Sequence, residues 1–199
     1  IQDKQVWVDQ LASLLDALGI DKISMVGNSF GGGVTLAFMI AHPDRVDRAV
    51  LMGPAGLNFS ITPALDKVWG YEPSIEAMRE SLKYLAWDHS RLTDDLIQSR
   101  YEASIRPGML EPYRETFGGE DRQSNVAMLA SREEDIGNIE HETLILHGIA
   151  DQVIPLDSTV RLASLMKRAD LHLFSECGHW VQIERLASFN RMVTEFFKH

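Results

Sequence analysis

The chain has 199 residues, 45% of them apolar and 24% charged, with a formal net charge of −10; this builds one globular domain of ordinary size and excludes a disordered chain. Such acidity opposes binding to phosphate backbones, and no basic stripe offsets it, so no nucleic-acid partner is expected. Cys177 is the only cysteine, which rules out an intramolecular disulfide and suits a reducing, cytoplasmic compartment, and no apolar run approaches the ~20 residues a bilayer span needs.

In chain order, residues 6–20 (VWVDQLASLLDALGI) place Trp7, Leu11, Leu14, Leu15 and Leu18 on one helical face, with Gly19 positioned to end the helix. Residues 23–26 read as a short buried strand. A helix is predicted over 31–41, with Val34, Phe38 and Ala41 on its buried face and the His42-Pro43 pair as its stop. Further buried strands are predicted at 48–53, 142–148 and 171–177. Helices follow the last two, over 158–167 and over 180–197, the second burying Leu186, Phe189, Val193 and Phe196. Continuous Val/Ile/Leu runs alternating with helices predict a parallel sheet covered on both faces.

Between the second and third strands lie roughly eighty residues without strand character, far longer than an ordinary crossover and better read as an inserted helical lid than as a loop. PSIEAMRESLKYLAWD and TDDLIQSRYEASI are its clearest helices, the second with Thr93 as N-cap. The expected organisation is a core half at 1–57, a lid at 58–135 and a second core half at 136–199.

Gly27-Asn28-Ser29-Phe30-Gly31 matches G-x-S-x-G with a strand before it and a helix after it. That turn is so tight that Ser29 is expected to be strained, with glycines beside it where backbone crowds backbone. Its hydroxyl then stands at the sheet's C-terminal edge, and the Phe30 N–H can serve an oxyanion hole. The plainer reading is an N-cap serine beside packing glycines. A serine hydroxyl needs a base, and the base an orienting acid, in loops after later strands and in the order Ser, acid, His. Asp151 follows the third strand and His179 the fourth, in the required order. Asp157 competes with Asp151 but looks like the N-cap of the next helix. Of the seven histidines, only His147 competes by position with His179, and it reads as a packed, hydrogen-bonded core residue. Cys177 reads as a buried filler. No residue spacing suggests a metal site, and no phosphate-binding fingerprint is present.

With these pieces in place the chain resembles the α/β-hydrolase superfamily, and within it the meta-cleavage product hydrolases of the 2-hydroxymuconate-semialdehyde hydrolase type. The narrow signals are VWGYEPS, RYEASIRPG and CGHWVQIE; VGNSFGG, LMGPAG and DQVIPL are shared more widely. The resemblance implies the α/β-hydrolase fold, a parallel sheet flanked by helices beneath an inserted lid. It also implies cofactor-free hydrolysis of a C–C bond in 2-hydroxy-6-oxo-2,4-dienoates, giving a 2-hydroxydienoate and a carboxylic acid. Ser29 would be nucleophile, His179 proton shuttle and Asp151 its orienter. Arg100 would bind the substrate carboxylate, with Asn28 and Trp180 lining the same end; Arg106 is the alternative to Arg100, and a solvated lid arginine the plainer reading. Ala55, Leu65, Trp69, Val126 and Ile154 match positions that line the pocket for the acyl group in relatives with small alkyl substituents.

Two departures from the family pattern bear on this. Ile149 and Ala150 stand where relatives usually carry charged residues. The family's upstream His-Gly loop and the first strands of its sheet have no counterpart here, so the chain is expected to be a fragment, with four parallel strands and the Ser29 strand as an apolar edge. A carboxylesterase on the same scaffold, or an inactive fragment or non-catalytic binding scaffold, are the competing readings. Relatives are commonly oligomers, so a homo-oligomer is a further expectation.

Overall fold

A computed structural model describes residues 3–198. Its centre is a four-stranded parallel sheet in the order β1 (Ile23–Asn28), β2 (Val46–Met52), β3 (Thr143–Gly148), β4 (Ala169–Phe174). All six residues of β3 are buried, as its TLILHG composition requires of a strand covered on both faces. The outer strands are half-covered: Val26 in β1 is 48% exposed, and among the described residues β1 pairs only with β2. The expected apolar edge is therefore present.

One face of the sheet is covered by α1 (Gln5–Leu18), α2 (Phe30–Ala41), and later α8 (Glu133–Gly137) and α9 (Leu156–Leu165). Together they bury Val8, Leu15, Leu36, Phe38, Ile136 and Leu162 against Val46, Leu51 and Ile145. The other face carries α10 (Val181–Glu184) and α11 (Leu186–Phe196), which pack Phe189, Val193 and Phe196 on Val50, Leu144 and Leu146. Each fully buried Leu, Ile or Phe contributes about 1.5–3 kcal/mol. Between β2 and β3 the described residues carry helices and no strand: α3 (Pro63–Trp69), α4 (Ile75–Leu85), α5 (Asp94–Ser104), α6 (Leu110–Phe117), α7 (Gln123–Leu129) and α8. Thr93 caps α5, its hydroxyl accepting from the Leu96 N–H at 3.2 Å.

Several local expectations are corrected. On α1 the buried residues are Val8 and Leu15, while Leu14 and Leu18 are 53% and 62% exposed. Apolar residues form two overlapping stripes on this helix, and the position of α2 selects between them. On α2, Ala41 is exposed and Val34 half-buried, whereas 35–39 are buried nearly all round. Helix α9 begins at Leu156 with Pro155 in the N-cap position, so Asp157 sits in the first turn and its Oδ1 accepts from the Ser158 N–H. The last helix is broken at Arg185 into α10 and α11, which leaves Leu186 56% exposed. Strand β4 ends at Phe174, and the chain turns through Glu176 at φ 48 before the histidine loop.

Candidate active site

The loops at the C-terminal ends of the four parallel strands carry the chemistry-bearing residues, where ligand sites form in open α/β sheets. Ser29 links β1 to α2 with φ 54 and ψ −116, a conformation that a non-glycine residue holds only when its surroundings enforce it. The enforcing bonds are to the end of β2 and beyond: the Ser29 N–H donates to the Met52 carbonyl at 2.9 Å, and the Ser29 carbonyl accepts from Ala55 at 3.0 Å. A methyl group on Gly27 would lie 2.6 Å from the Gly31 carbonyl oxygen, so a glycine is required before the serine. The expectation fails at Gly31, where a Cβ would meet nothing within 4 Å. The close approach falls instead at Gly32 against Pro54 and Gly33 against Ala55. The Phe30 N–H opens α2, and the first N–H groups of a helix have no intrahelical acceptor, which leaves it free to serve an anion.

Asp151 and His179 are joined: His179 Nδ1 lies 2.8 Å from Asp151 Oδ2. The other carboxylate oxygen accepts from the Val153 and Ile154 N–H groups at 2.7 and 3.0 Å, which fixes the carboxyl plane. Burial alone pushes the Asp151 carboxyl up. The His179 charge and hydrogen bond, the His147 charge and the Ile154 N–H outweigh it and hold the carboxyl below its usual range. His147 is fully buried, with Nδ1 3.1 Å from Thr159 Oγ1 and Nε2 3.7 Å from Asp151 Oδ2, too far for a hydrogen bond. Burial pushes its imidazole pKa down, with the Asp151 charge opposing. Cys177 is wholly buried, and burial together with the Glu184 charge pushes its thiol up to about 12; it is no nucleophile at neutral pH.

Gly53, at φ 43 directly after β2, is the residue around which the three loops meet. A Cβ there would lie 3.0 Å from Asp151 Oδ2 and 3.0 Å from His179 Nδ1, and its neighbour Met52 is hydrogen-bonded to Ser29. Sequence reasoning assigned Gly53 no role, although LMGPAG carries it. Glu184 was also missed: it is a buried acid 6% exposed, inside CGHWVQIE.

Asn28 has its side-chain amide donating to the Met52 carbonyl at 3.1 Å. Trp180 is buried in a cluster with Tyr71, Met78, Leu82 and Ile97. Arg100, on α5, is exposed, and its guanidinium stacks over the Trp180 ring at 5.4 Å; Arg106 is exposed beyond the end of α5. Ala55, Leu65, Trp69, Val126 and Ile154 all fall into one buried cluster, with Phe30 and Phe117 packed against it. Beside that cluster an apolar cavity of about 440 Å³ runs under the lid, lined by Phe30, Tyr71, Leu82, Leu85, Tyr113 and Phe117 among others. Phe30 therefore connects the serine turn to the cavity. A larger charged groove of about 780 Å³ lies at the opposite ends of the strands, by Lys22, Arg48 and Glu142, away from this chemistry. Among the described residues no cluster of His, Cys, Asp and Glu could hold a metal ion, and no helix is long and apolar enough to cross a membrane.

Residues 5–186 match the family model described as the alpha/beta hydrolase fold. The chain is 51% identical over 190 residues to 2-hydroxy-6-oxo-2,4-heptadienoate hydrolase of Pseudomonas putida, covering 96% of this chain and 68% of that protein. It is 50% identical over 194 residues to 2-hydroxymuconate semialdehyde hydrolase of a Pseudomonas sp., covering 98% and 68%. Among solved structures, the meta-cleavage product hydrolase CumD of Pseudomonas fluorescens, complexed with acetates, superposes with a TM-score of 0.97 at 50% identity, over 100% of this chain and 72% of that one. The strand–serine–helix turn, the paired aspartate and histidine and these likenesses lead to one assignment: the chain belongs to the α/β-hydrolase fold family, among its meta-cleavage product hydrolases.

Proposed function

We propose that this protein hydrolyses the C–C bond next to the 6-oxo group of a 2-hydroxy-6-oxo-2,4-dienoate, releasing 2-hydroxypenta-2,4-dienoate and a carboxylic acid. Water supplies the hydroxyl that ends on the acyl carbon and the proton that ends on the departing carbon. Breaking a C–C bond leaves a carbanion, so the dienol first shifts its proton to give a keto form able to accept the electron pair. Ser29 and His179 act at the 6-oxo carbon, His179 carrying protons and Asp151 holding it in the tautomer whose Nε2 accepts. The Phe30 N–H stabilises the oxyanion.

The observation that carries this reading is the Asp151–His179 hydrogen bond standing beside Gly53, whose neighbour Met52 binds the strained Ser29. Arg100 takes the substrate carboxylate, with Asn28 and Trp180 at the same end; its exposure and its stacking on Trp180 leave its N–H groups free for a carboxylate fork. Ala55, Leu65, Trp69, Val126 and Ile154 form the apolar wall for the acyl group, with Leu65, Trp69 and Val126 supplied by the lid at 58–135. No cofactor is required. The acidic charge and the single buried thiol support a cytoplasmic enzyme acting on a small molecule. The test is turnover of a yellow ring-fission dienoate, followed as loss of visible absorbance, beside simple carboxylic esters. A kcat/KM for the dienoate well above that for esters is expected; the reverse order makes the protein a carboxylesterase.

A further inference from the structure

Glu184 is a buried carboxylate with no cation paired to it among the described residues, and such a group is tolerated only when hydrogen bonds replace its water. Its bonds come from two distant parts of the chain. Oε1 accepts from the Trp87 and Asp88 N–H groups at 2.8 and 3.0 Å, at the end of the segment that leaves lid helix α4. Oε2 accepts from the Gly178 N–H at 2.7 Å, in the loop that presents His179. Two further observations tie the same two segments together. The Trp180 N–H donates to the Leu85 carbonyl at 3.1 Å. A Cβ on Gly178 would lie 2.8 Å from the Trp87 nitrogen and 3.1 Å from the Ala86 carbonyl carbon, so the loop backbone packs directly on the lid segment with no room for a side chain between them.

We propose that Glu184 is a positioning residue that clamps residues 85–88 of the lid to the His179 loop, so that lid placement and histidine placement are set together. The proposal rests on the catalytic role given to His179 above. Opening the lid at this end would strip a buried anion of two donors and pull on the peptide preceding His179. This end of the lid is therefore its fixed anchor, and any motion admitting substrate takes place elsewhere along 58–135.

The test is amide hydrogen exchange with steady-state kinetics on the wild type and on Glu184→Gln. Glutamine has a single acceptor oxygen and turns an NH2 group toward the remaining donors, so it cannot hold both segments. In the wild type the Trp87, Asp88 and Gly178 amides are expected to exchange at a common slow rate. In Glu184→Gln all three should accelerate together by about tenfold or more, as loss of a hydrogen bond to a charged group implies, while the β3 amides of Leu144–Leu146 are unchanged. kcat per folded molecule should fall by about tenfold with KM altered less than about threefold, because the histidine is displaced while Arg100, on α5, keeps its place. Acceleration of the lid amides without Gly178, or of all amides including β3, or an unchanged kcat, overturns the proposal. If Glu184→Gln does not fold, the wild-type exchange pattern decides: Trp87 and Asp88 exchanging rapidly while Gly178 stays protected refutes the clamp. A wild type that leaves dienoates intact refutes the functional reading, and the exchange arm then still decides the clamp.

Discussion

Replacing Asp151 by asparagine separates the orienting role proposed for this side chain from its structural one. Two backbone donors, Val153 and Ile154, fix Oδ1, so the oxygen of an asparagine must stay there and its NH2 group must turn to His179. A donor then faces Nδ1, the imidazole proton moves to Nε2, and Nε2 can no longer take the proton that the proposed mechanism draws from Ser29. The same tautomer error in a serine-triad protease costs ~10⁴ in kcat, equal to about 5.5 kcal/mol in the barrier. The fold should survive: three charge-assisted bonds become neutral ones, a loss of about 1–3 kcal/mol in all. Because the folded carboxyl is held below its ordinary value, its contribution is complete above the unfolded value of about 3.9 and is lost as pH falls through the folded one. Asp151→Asn should therefore flatten the acid limb of the unfolding curve. Dienoate turnover, with circular dichroism against pH as the control for folding, measures both effects. A kcat within about tenfold of wild type would refute the tautomer argument.

His147 should make stability fall with acid, because burial lowers its folded pKa, so the unfolded state binds the extra proton. Stability drops as pH falls below about 6.5, by up to ~1.4 kcal/mol per unit until the folded pKa is reached; urea midpoints at pH 7 and pH 5 should converge in His147→Gln, and an unchanged slope would place the titration elsewhere. Arg100→Ala should raise KM for carboxylate-bearing dienoates by ~tenfold with little change in kcat. An unaltered KM would reduce Arg100 to an exposed residue stacked on Trp180.

What the sequence made legible follows from the physics of each feature. Ser29, Asp151 and His179 stand out because the chemistry needs those residue types, in that order, after buried apolar runs that only strands explain. The parallel sheet was readable because Ala49–Met52 of β2 and Leu144–Leu146 of β3 are continuous apolar runs. Gly53 was not readable: its importance is a φ of 43 and the mere 3.0 Å that would separate a Cβ there from two side chains, and a glycine in sequence carries no record of what surrounds it. Glu184 escaped for a similar reason, since its partners Trp87 and Asp88 are 97 and 96 residues away. The buried stripe of α1 depended on where α2 lies, and the break at Arg185 on the short α10 turning against the lid. The roles proposed for Arg100 and for the apolar wall come only from family resemblance; in the sequence itself an arginine on a polar helix signals solvent.

The most direct test of the central claim is dienoate cleavage by Ser29→Ala, followed through a single turnover by the visible absorbance of the substrate and by the carboxylic acid formed. The variant is expected to bind and perturb the dienoate spectrum while releasing product at least ~10³-fold more slowly than wild type. Release of product at the wild-type rate would remove Ser29 from the reaction and contradict the account.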